Sequence, residues 1–301
     1  MITILGPTAT GKTSFATYIA SHLNGEIISA DSRQVYRGMN IGTGKDLSDY
    51  SIDGQEIPYH LIDIADPGYE YNVFEFQSDF LKAYQEIEAR EKFPILCGGT
   101  GMYIESVLKG YKLIDVPRNE VLREFLEIKS DKELDEILQD FKNLHNTTDT
   151  SDRDRLLRAI EIQKYYEDHP EIDTTFPKIE TLIVGINFDR RVVRARITER
   201  LEQRLEEGMV QEVEGLLNKG VTAEELKFYG LEYRFITQYI QEEISYNEMF
   251  RRLNTAIHQF AKRQMTWFRR MEKQGFVIHW LDGNLSHEEK MMQLMPLMKD
   301  L

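Results

Sequence analysis

Gly6, Pro7, Thr8, Ala9, Thr10, Gly11, Lys12 and Thr13 spell G-x-x-x-x-G-K-T, a spacing that holds phosphate. Glycines let the backbone curl until its N–H groups point inward at phosphate oxygens. Lys12 adds a positive charge, and the Thr13 hydroxyl can ligate Mg²⁺. The loop says that a phosphate is held and leaves the reaction open. Read alone, it points to ATP and to a kinase or ATPase.

Further along, Asp31, Ser32, Arg33 and Gln34 follow an apolar run. If that run is the strand next to the loop, Asp31 projects toward the bound phosphates. There a carboxylate can bind Mg²⁺ through water or accept a proton; the alternative is a helix cap formed by Asp31 or Ser32. Gly98, Gly99, Thr100 and Gly101 make a second glycine-rich element after Cys97, suited to a close ligand or simply to a tight turn. Arg196, Arg200 and Arg204 share one face of a predicted helix. A guanidinium aimed at the loop would clamp a pyrophosphate, although interleaved acidic residues predict surface pairs for most arginines here. The histidines, His145 included, show no paired ligand spacing, and Cys97 has no second cysteine, so no zinc site is expected.

Positioning such groups requires strands that end beside one another. Apolar runs at residues 2–5, 26–30, 59–64, 95–97, 181–188 and 277–280 alternate with helical patterns. The alternation predicts an α/β fold with a mostly parallel, doubly wound sheet, which binds ligands at the carboxyl ends of its strands. Residues 115–178 break the rhythm: they are charged and helix-rich, with Pro117, Pro170 and Pro177 near the ends. They read as a helical insertion, because structureless loops of that length are uncommon. The expected division is a core of residues 1–114 and 179–301 with the insertion between. Met249, Leu253, Ile257, Phe260, Met265 and Phe268 form a stripe read as core.

The 301 residues are 41% hydrophobic, a globular value. A lone cysteine fits a reducing cytosol, and no apolar run reaches membrane-spanning length; no signal peptide is expected. The net charge of −14 argues against a nucleic-acid partner on average. Locally, residues 250–273 carry Arg251, Arg252, Lys262, Arg263, Arg269, Arg270 and Lys273 against Glu272 alone beyond the helix start, a basic face that is either solvated or a binding footprint.

Taken in order, the motifs resemble those of the bacterial tRNA dimethylallyltransferases. The matching stretches are the phosphate loop, Asp31-Ser32-Arg33-Gln34-Val35-Tyr36-Arg37-Gly38-Met39-Asn40-Ile41-Gly42-Thr43, Tyr59-His60-Leu61-Ile62-Asp63-Ile64, Gly98-Gly99-Thr100-Gly101-Met102-Tyr103-Ile104, and Ala261-Lys262-Arg263-Gln264-Met265-Thr266-Trp267-Phe268-Arg269. The resemblance implies a P-loop NTPase-like core with a helical insertion that grips the tRNA anticodon stem-loop. It implies transfer of a dimethylallyl group from dimethylallyl diphosphate to the N6 amine of the adenine beside the anticodon, with Mg²⁺, by a cytoplasmic monomer. By resemblance Asp31 is the base, Thr13 the hydroxyl on the Mg²⁺ side, and Arg200, placed by its distance from Gly208, the pyrophosphate arginine. The same resemblance makes Asp31, Ser32, Arg33, Gln34 and Thr100 tRNA contacts. It adds Arg123, then Asp154, Arg155, Leu156, Leu157 and Arg158, then Lys227, Phe228, Tyr229 and Gly230.

The chain departs from the family's usual residues in three places. Gly42-Thr43-Gly44-Lys45-Asp46 stands for Gly-Thr-Ala-Lys-Pro, and Ser151-Asp152-Arg153 for Asn-Asp-Pro. Gly230-Leu231-Glu232-Tyr233-Arg234 is two residues longer than the usual Gly-Tyr. Competing readings are an adenylate isopentenyltransferase acting on a free nucleotide, a P-loop small-molecule kinase, and a non-catalytic nucleotide switch. The insertion argues for the larger acceptor, and a switch leaves the longer motifs without a purpose.

Overall fold

The structure, a computed structural model, describes residues 1–141, 152–172 and 175–300. His145 and Ser151, together with part of the expected insertion, lie outside the described residues. The chain divides into two compact units, one formed by Met1–Tyr111 and Pro177–Leu301, the other by Lys112–Phe176.

In chain order the first unit contains β1 (Ile2–Leu5), α1 (Lys12–Leu23), β2 (Gly25–Ala30), β3 (Ser51–Ile52), β4 (Gln55–Glu56), β5 (Tyr59–His60), α2 (Val73–Ala89), β6 (Phe93–Gly98) and α3 (Gly101–Leu108). The second unit holds α4 (Glu120–Glu127), α5 (Asp131–Asp140) and α6 (Arg153–Asp168). The chain then returns through β7 (Leu182–Asn187), α7 (Arg190–Glu206), α8 (Met209–Asn218), α9 (Ala223–Phe228), α10 (Leu231–Ile240), α11 (Tyr246–Lys273), β8 (Ile278–Asp282) and α12 (His287–Leu294).

The main sheet runs β5-β2-β6-β1-β7-β8, with every pair parallel. Parallel strands need crossovers, so helices cover both faces and the central strands read as largely apolar runs. β1 is the clearest case: Ile2 pairs with Ile95 on one side and Leu182 on the other, and the whole strand is buried. The expected strand at residues 59–64 is shorter. Leu61 and Asp63 take left-handed φ of 62° and 55°, which turns the chain out of the sheet after His60. Ile64 and Ala65 then donate to Val35 O, so these residues pin the loop after β2.

In the 28-residue α11, Met249, Leu253, Ile257 and Phe268 are buried, but Phe260 is 38% exposed. Gln264 takes a buried position amid that stripe. No helix among the described residues is long and apolar enough to cross a membrane.

The second unit packs α4, α5 and α6 around Leu126, Leu134, Leu138, Leu156, Leu157 and Ile160. Buried Glu161 accepts from Asn119 N at 2.8 Å, Arg123 at 2.9 and 3.0 Å, and Arg158 at 3.0 Å. Burial alone would push this carboxyl up; the two guanidiniums and the backbone N–H outweigh it and bring it down to about 2.

Candidate active site

The predicted phosphate loop joins β1 to α1. Gly11 caps α1 in a left-handed conformation (φ 73°) and offers no side chain to the first-turn N–H groups. Those donors are left for an anion, and the helix dipole favours one. The loop is braced from within, Thr10 Oγ1 and Lys12 Nζ donating to Pro7 O at 2.9 and 2.7 Å. Burial, helped by the nearby Arg200, holds Lys12 down to about 8 against Cys97 and Asp31, which act the other way. A buried ammonium in this state is short of negative charge. Burial also pushes the Cys97 thiol up to about 12, so it is no nucleophile at neutral pH.

Asp31 leaves the carboxyl end of β2. Its Oδ1 accepts from Arg33 N at 2.9 Å, a local turn; no helix starts here, so Asp31 is not a helix cap. The carboxylate borders a cleft of about 540 Å³ together with Thr8, Lys12, Thr13 and Arg200. The neighbouring loop is tied in: Ser32 N donates to Thr100 Oγ1 at 3.0 Å, and Gln34 Nε2 to Gly44 O at 3.1 Å. Ser32, Arg33, Gln34, Thr100, Tyr229 and Gly230 border the same cleft. Of the second glycine element, Gly98 lies against the Ala30 backbone, Gly99 against Gln264 and Gly101 against Trp267. Close packing requires those three glycines, and all three also border the cleft.

A second cavity, of about 830 Å³, lies along Ala9, Thr10 and Gly11. Lys12, Thr13 and Arg200 border both cavities. On α7, Arg196 Nε donates to Ala9 O at 2.8 Å and its guanidinium lies 4.9 Å from the Phe188 ring centre. Arg200, one turn on, pairs with Asp46 at 2.6 Å. Asp46 is held below the usual carboxylate range: burial would raise it, and Arg204 and Arg200 outweigh that.

The remaining predicted contacts are placed differently. Lys227 pairs with Glu224 at 3.3 Å and Glu243 at 3.2 Å, while Phe228 is 55% exposed and lies 5.7 Å from the Arg33 guanidinium. Tyr229 is buried, its hydroxyl accepting from Gly68 N. In the second unit Leu156 and Leu157 point into the core, and Arg123 and Arg158 are committed to Glu161; Asp154 and Arg155 are exposed. The basic run on α11 also divides. Arg251 and Arg252 pair with Glu248, Arg270 donates to Glu105 at 2.6 Å, and Arg263 borders the cleft.

Residue reasoning gave Gln264 no role. Its Oε1 accepts from Thr8 N and its Nε2 donates to Gly99 O, each at 2.9 Å, joining the phosphate loop to the second glycine element. Its sequence signals are a polar residue within an apolar stripe and its place in the matched stretch Ala261–Arg269.

A cleft beside the uncapped loop amides, bordered by Lys12, Arg33, Arg200, Arg204 and Arg263 and by the Asp31 and Glu232 carboxyls, suits the transfer of a group from a diphosphate to a nucleophile that carries a proton. Comparisons with known proteins point the same way. A family model described as IPP transferase matches residues 34–271, and one described as isopentenyl transferase matches residues 1–55. A protein named tRNA dimethylallyltransferase 2 from Bacteroides fragilis is 59% identical over 290 residues, covering 96% of this chain and 95% of its own. Among solved structures, a tRNA isopentenylpyrophosphate transferase from Staphylococcus epidermidis superposes with a TM-score of 0.69 at 31% identity, over 99% of this chain and 98% of that one. A full-length counterpart from Bacillus halodurans gives 0.70 at 29%, over 99% and 94%. With a sheet, a phosphate loop and a cleft of this kind, and with similarity running along nearly its whole length, the chain belongs to the IPP transferase family of tRNA dimethylallyltransferases.

Proposed function

We propose that the chain transfers a dimethylallyl group from dimethylallyl diphosphate to the exocyclic N6 amine of the adenine next to the tRNA anticodon, position 37, and releases pyrophosphate. The observation that carries this reading is the meeting of Lys12, Thr13, Arg200 and Asp31 on one cleft. An allylic C–O bond breaks readily once the charge gathering on the departing pyrophosphate is stabilised. Loop amides, Lys12 and Arg200 supply that stabilisation from fixed positions. As the new C–N bond forms, the weakly nucleophilic amine must lose a proton, and the Asp31 carboxylate takes it. The target adenine leaves its stack to enter the cleft.

Thr13 offers a hard oxygen beside the phosphate loop, and no group of three or more metal-ligating side chains occurs among the described residues. This fits Mg²⁺ held by Thr13, diphosphate oxygens and water, where it would neutralise charge on the pyrophosphate. The second unit is the proposed grip on the anticodon stem-loop, with Asp154 and Arg155 the exposed groups of the α6 segment. In this reading a monomer works in the cytoplasm, where tRNA is modified.

Incubating the protein with Mg²⁺ and dimethylallyl diphosphate, with tRNA or AMP as acceptor, tests the proposal. Prenylated tRNA and untouched AMP are expected. Prenylated AMP with untouched tRNA overturns it in favour of a free-nucleotide enzyme.

A further inference from the structure

Arg200 and Arg204 lie one turn apart on α7, and both guanidiniums reach the same carboxylate. Arg200 Nη2 donates to Asp46 Oδ2 at 2.6 Å; Arg204 Nη2 is 3.0 Å from Oδ2 and 3.3 Å from Oδ1. Asp46 is the carboxylate that bonds both guanidiniums; Asp49 lies close enough to feel both, but burial pushes its carboxyl up. Arg204 is well covered, its side chain only 11% exposed. Asp31 and Glu232 share the cleft, but burial pushes the Glu232 carboxyl up, toward its neutral form. Like charges held together in partial burial are expensive unless an anion completes the set.

The backbone makes room for this arrangement. Gly44 has φ +71°, and a Cβ there would stand 2.5 Å from Arg204 Nη2 and 3.0 Å from Arg200 Nη2. A side chain at position 44 would therefore displace Arg204. Two residues on, Asp46 supplies the anchor. Gly44 and Asp46 are the two residues at which the stretch departs from Gly-Thr-Ala-Lys-Pro, and both act on the same pair of guanidiniums. Arg204 borders the cleft of Asp31, Asp46 the larger cavity along the phosphate loop, and Arg200 both.

We propose that Arg204 is a second diphosphate-binding guanidinium beside Arg200, admitted by Gly44 and aimed by Asp46, which is a positioning residue. Asp46 engages one nitrogen of each guanidinium, and each planar fork keeps donors for phosphate oxygens. The pair would grip the pyrophosphate of the donor opposite Lys12, so the effect falls on donor affinity rather than on tRNA. The inference rests on the donor reading of the cleft.

The test compares wild type, R204Q, D46N and G44A in steady-state transfer to tRNA, with inhibition by inorganic pyrophosphate and tRNA binding measured alongside. R204Q is expected to raise the KM for dimethylallyl diphosphate and the pyrophosphate inhibition constant about tenfold, the 1.4 kcal/mol of one decade. Its tRNA affinity stays unchanged. D46N and G44A keep Arg204 but not its placement, and are expected to shift both constants in the same direction by about threefold or more. A merely structural role would lower kcat or thermal stability without this selective rise in KM. R204Q with unchanged KM and pyrophosphate inhibition overturns the proposal, as does a D46N variant that binds donor more tightly, since Asp46 would then be only a competing anion. If R204Q does not fold, the D46N and G44A shifts decide. A wild type that fails to prenylate tRNA instead refutes the donor reading itself.

Discussion

Replacing Gln264 with leucine keeps the volume of a buried side chain and removes both of its hydrogen bonds. Gln264 is 7% exposed and joins Thr8 N to Gly99 O. The Thr8 bond is partly exposed, so water replaces it and the loss is about 1 kcal/mol. The Gly99 carbonyl is buried, and leaving it unpaired costs about 1–3 kcal/mol. Together these give about 3 kcal/mol. In a domain of this size each kcal/mol lowers the melting temperature by about 2–4 °C, so Q264L should melt about 10 °C below wild type by calorimetry. Catalysis should suffer more than stability. Thr8 and Gly99 border the cleft from the ends of adjacent strands, and a shift of about 1 Å in such groups costs on the order of a hundredfold in rate. G99A should act similarly, since its Cβ would strike the Gln264 amide. A Q264L protein that melts with wild type and keeps its kcat/KM would refute the bracing role.

Under the proposed mechanism D31A should lose turnover and largely keep tRNA affinity; lost tRNA binding with unchanged single-turnover chemistry would make Asp31 a contact residue instead. Burial holds Lys12 down to about 8, and a diphosphate binds its charged form. Pyrophosphate inhibition should therefore weaken as pH rises through about 8, and a K12M variant should lose that dependence; a wild-type profile flat from pH 7 to about 9.5 would contradict it. Glu161 is held at about 2, against an ordinary value of 4.5. Because the folded value is the lower, its stabilisation is present above 4.5 and lost as pH falls toward 2. Melting followed over that range should show a smaller loss in E161Q than in wild type, the remainder coming from other lowered carboxyls such as Asp46.

β1, β6 and β7 were readable because strands covered on both faces are largely apolar along their length, and β2 and β8 because shorter apolar stretches mark them. β5 was overextended, since Leu61 and Ile62 are apolar whether they continue a strand or turn back to pin the loop after β2. That the phosphate loop and Asp31 meet at one edge was readable, because a doubly wound sheet brings its parallel strand ends together; that β6 lies between β1 and β2, so that Asp31 ends the next strand but one and not the adjacent strand, was not. Leu156 and Leu157 show the limit of motif matching, which locates a segment without saying which of its side chains face inward.

What the sequence determined by itself was local: the curl of the phosphate loop, the apolar strands, and a helical insertion in an α/β core. Tertiary structure decided which distant groups share a charge or a hydrogen bond. Asp46 meets Arg200 and Arg204 across 154 and 158 residues, and Gln264 reaches Thr8 across 256. Periodicity carries no information about such pairs. They arise only when α7 and α11 pack beside the strand ends, where the low polarity of the interior makes each charge and each polar atom depend on a partner.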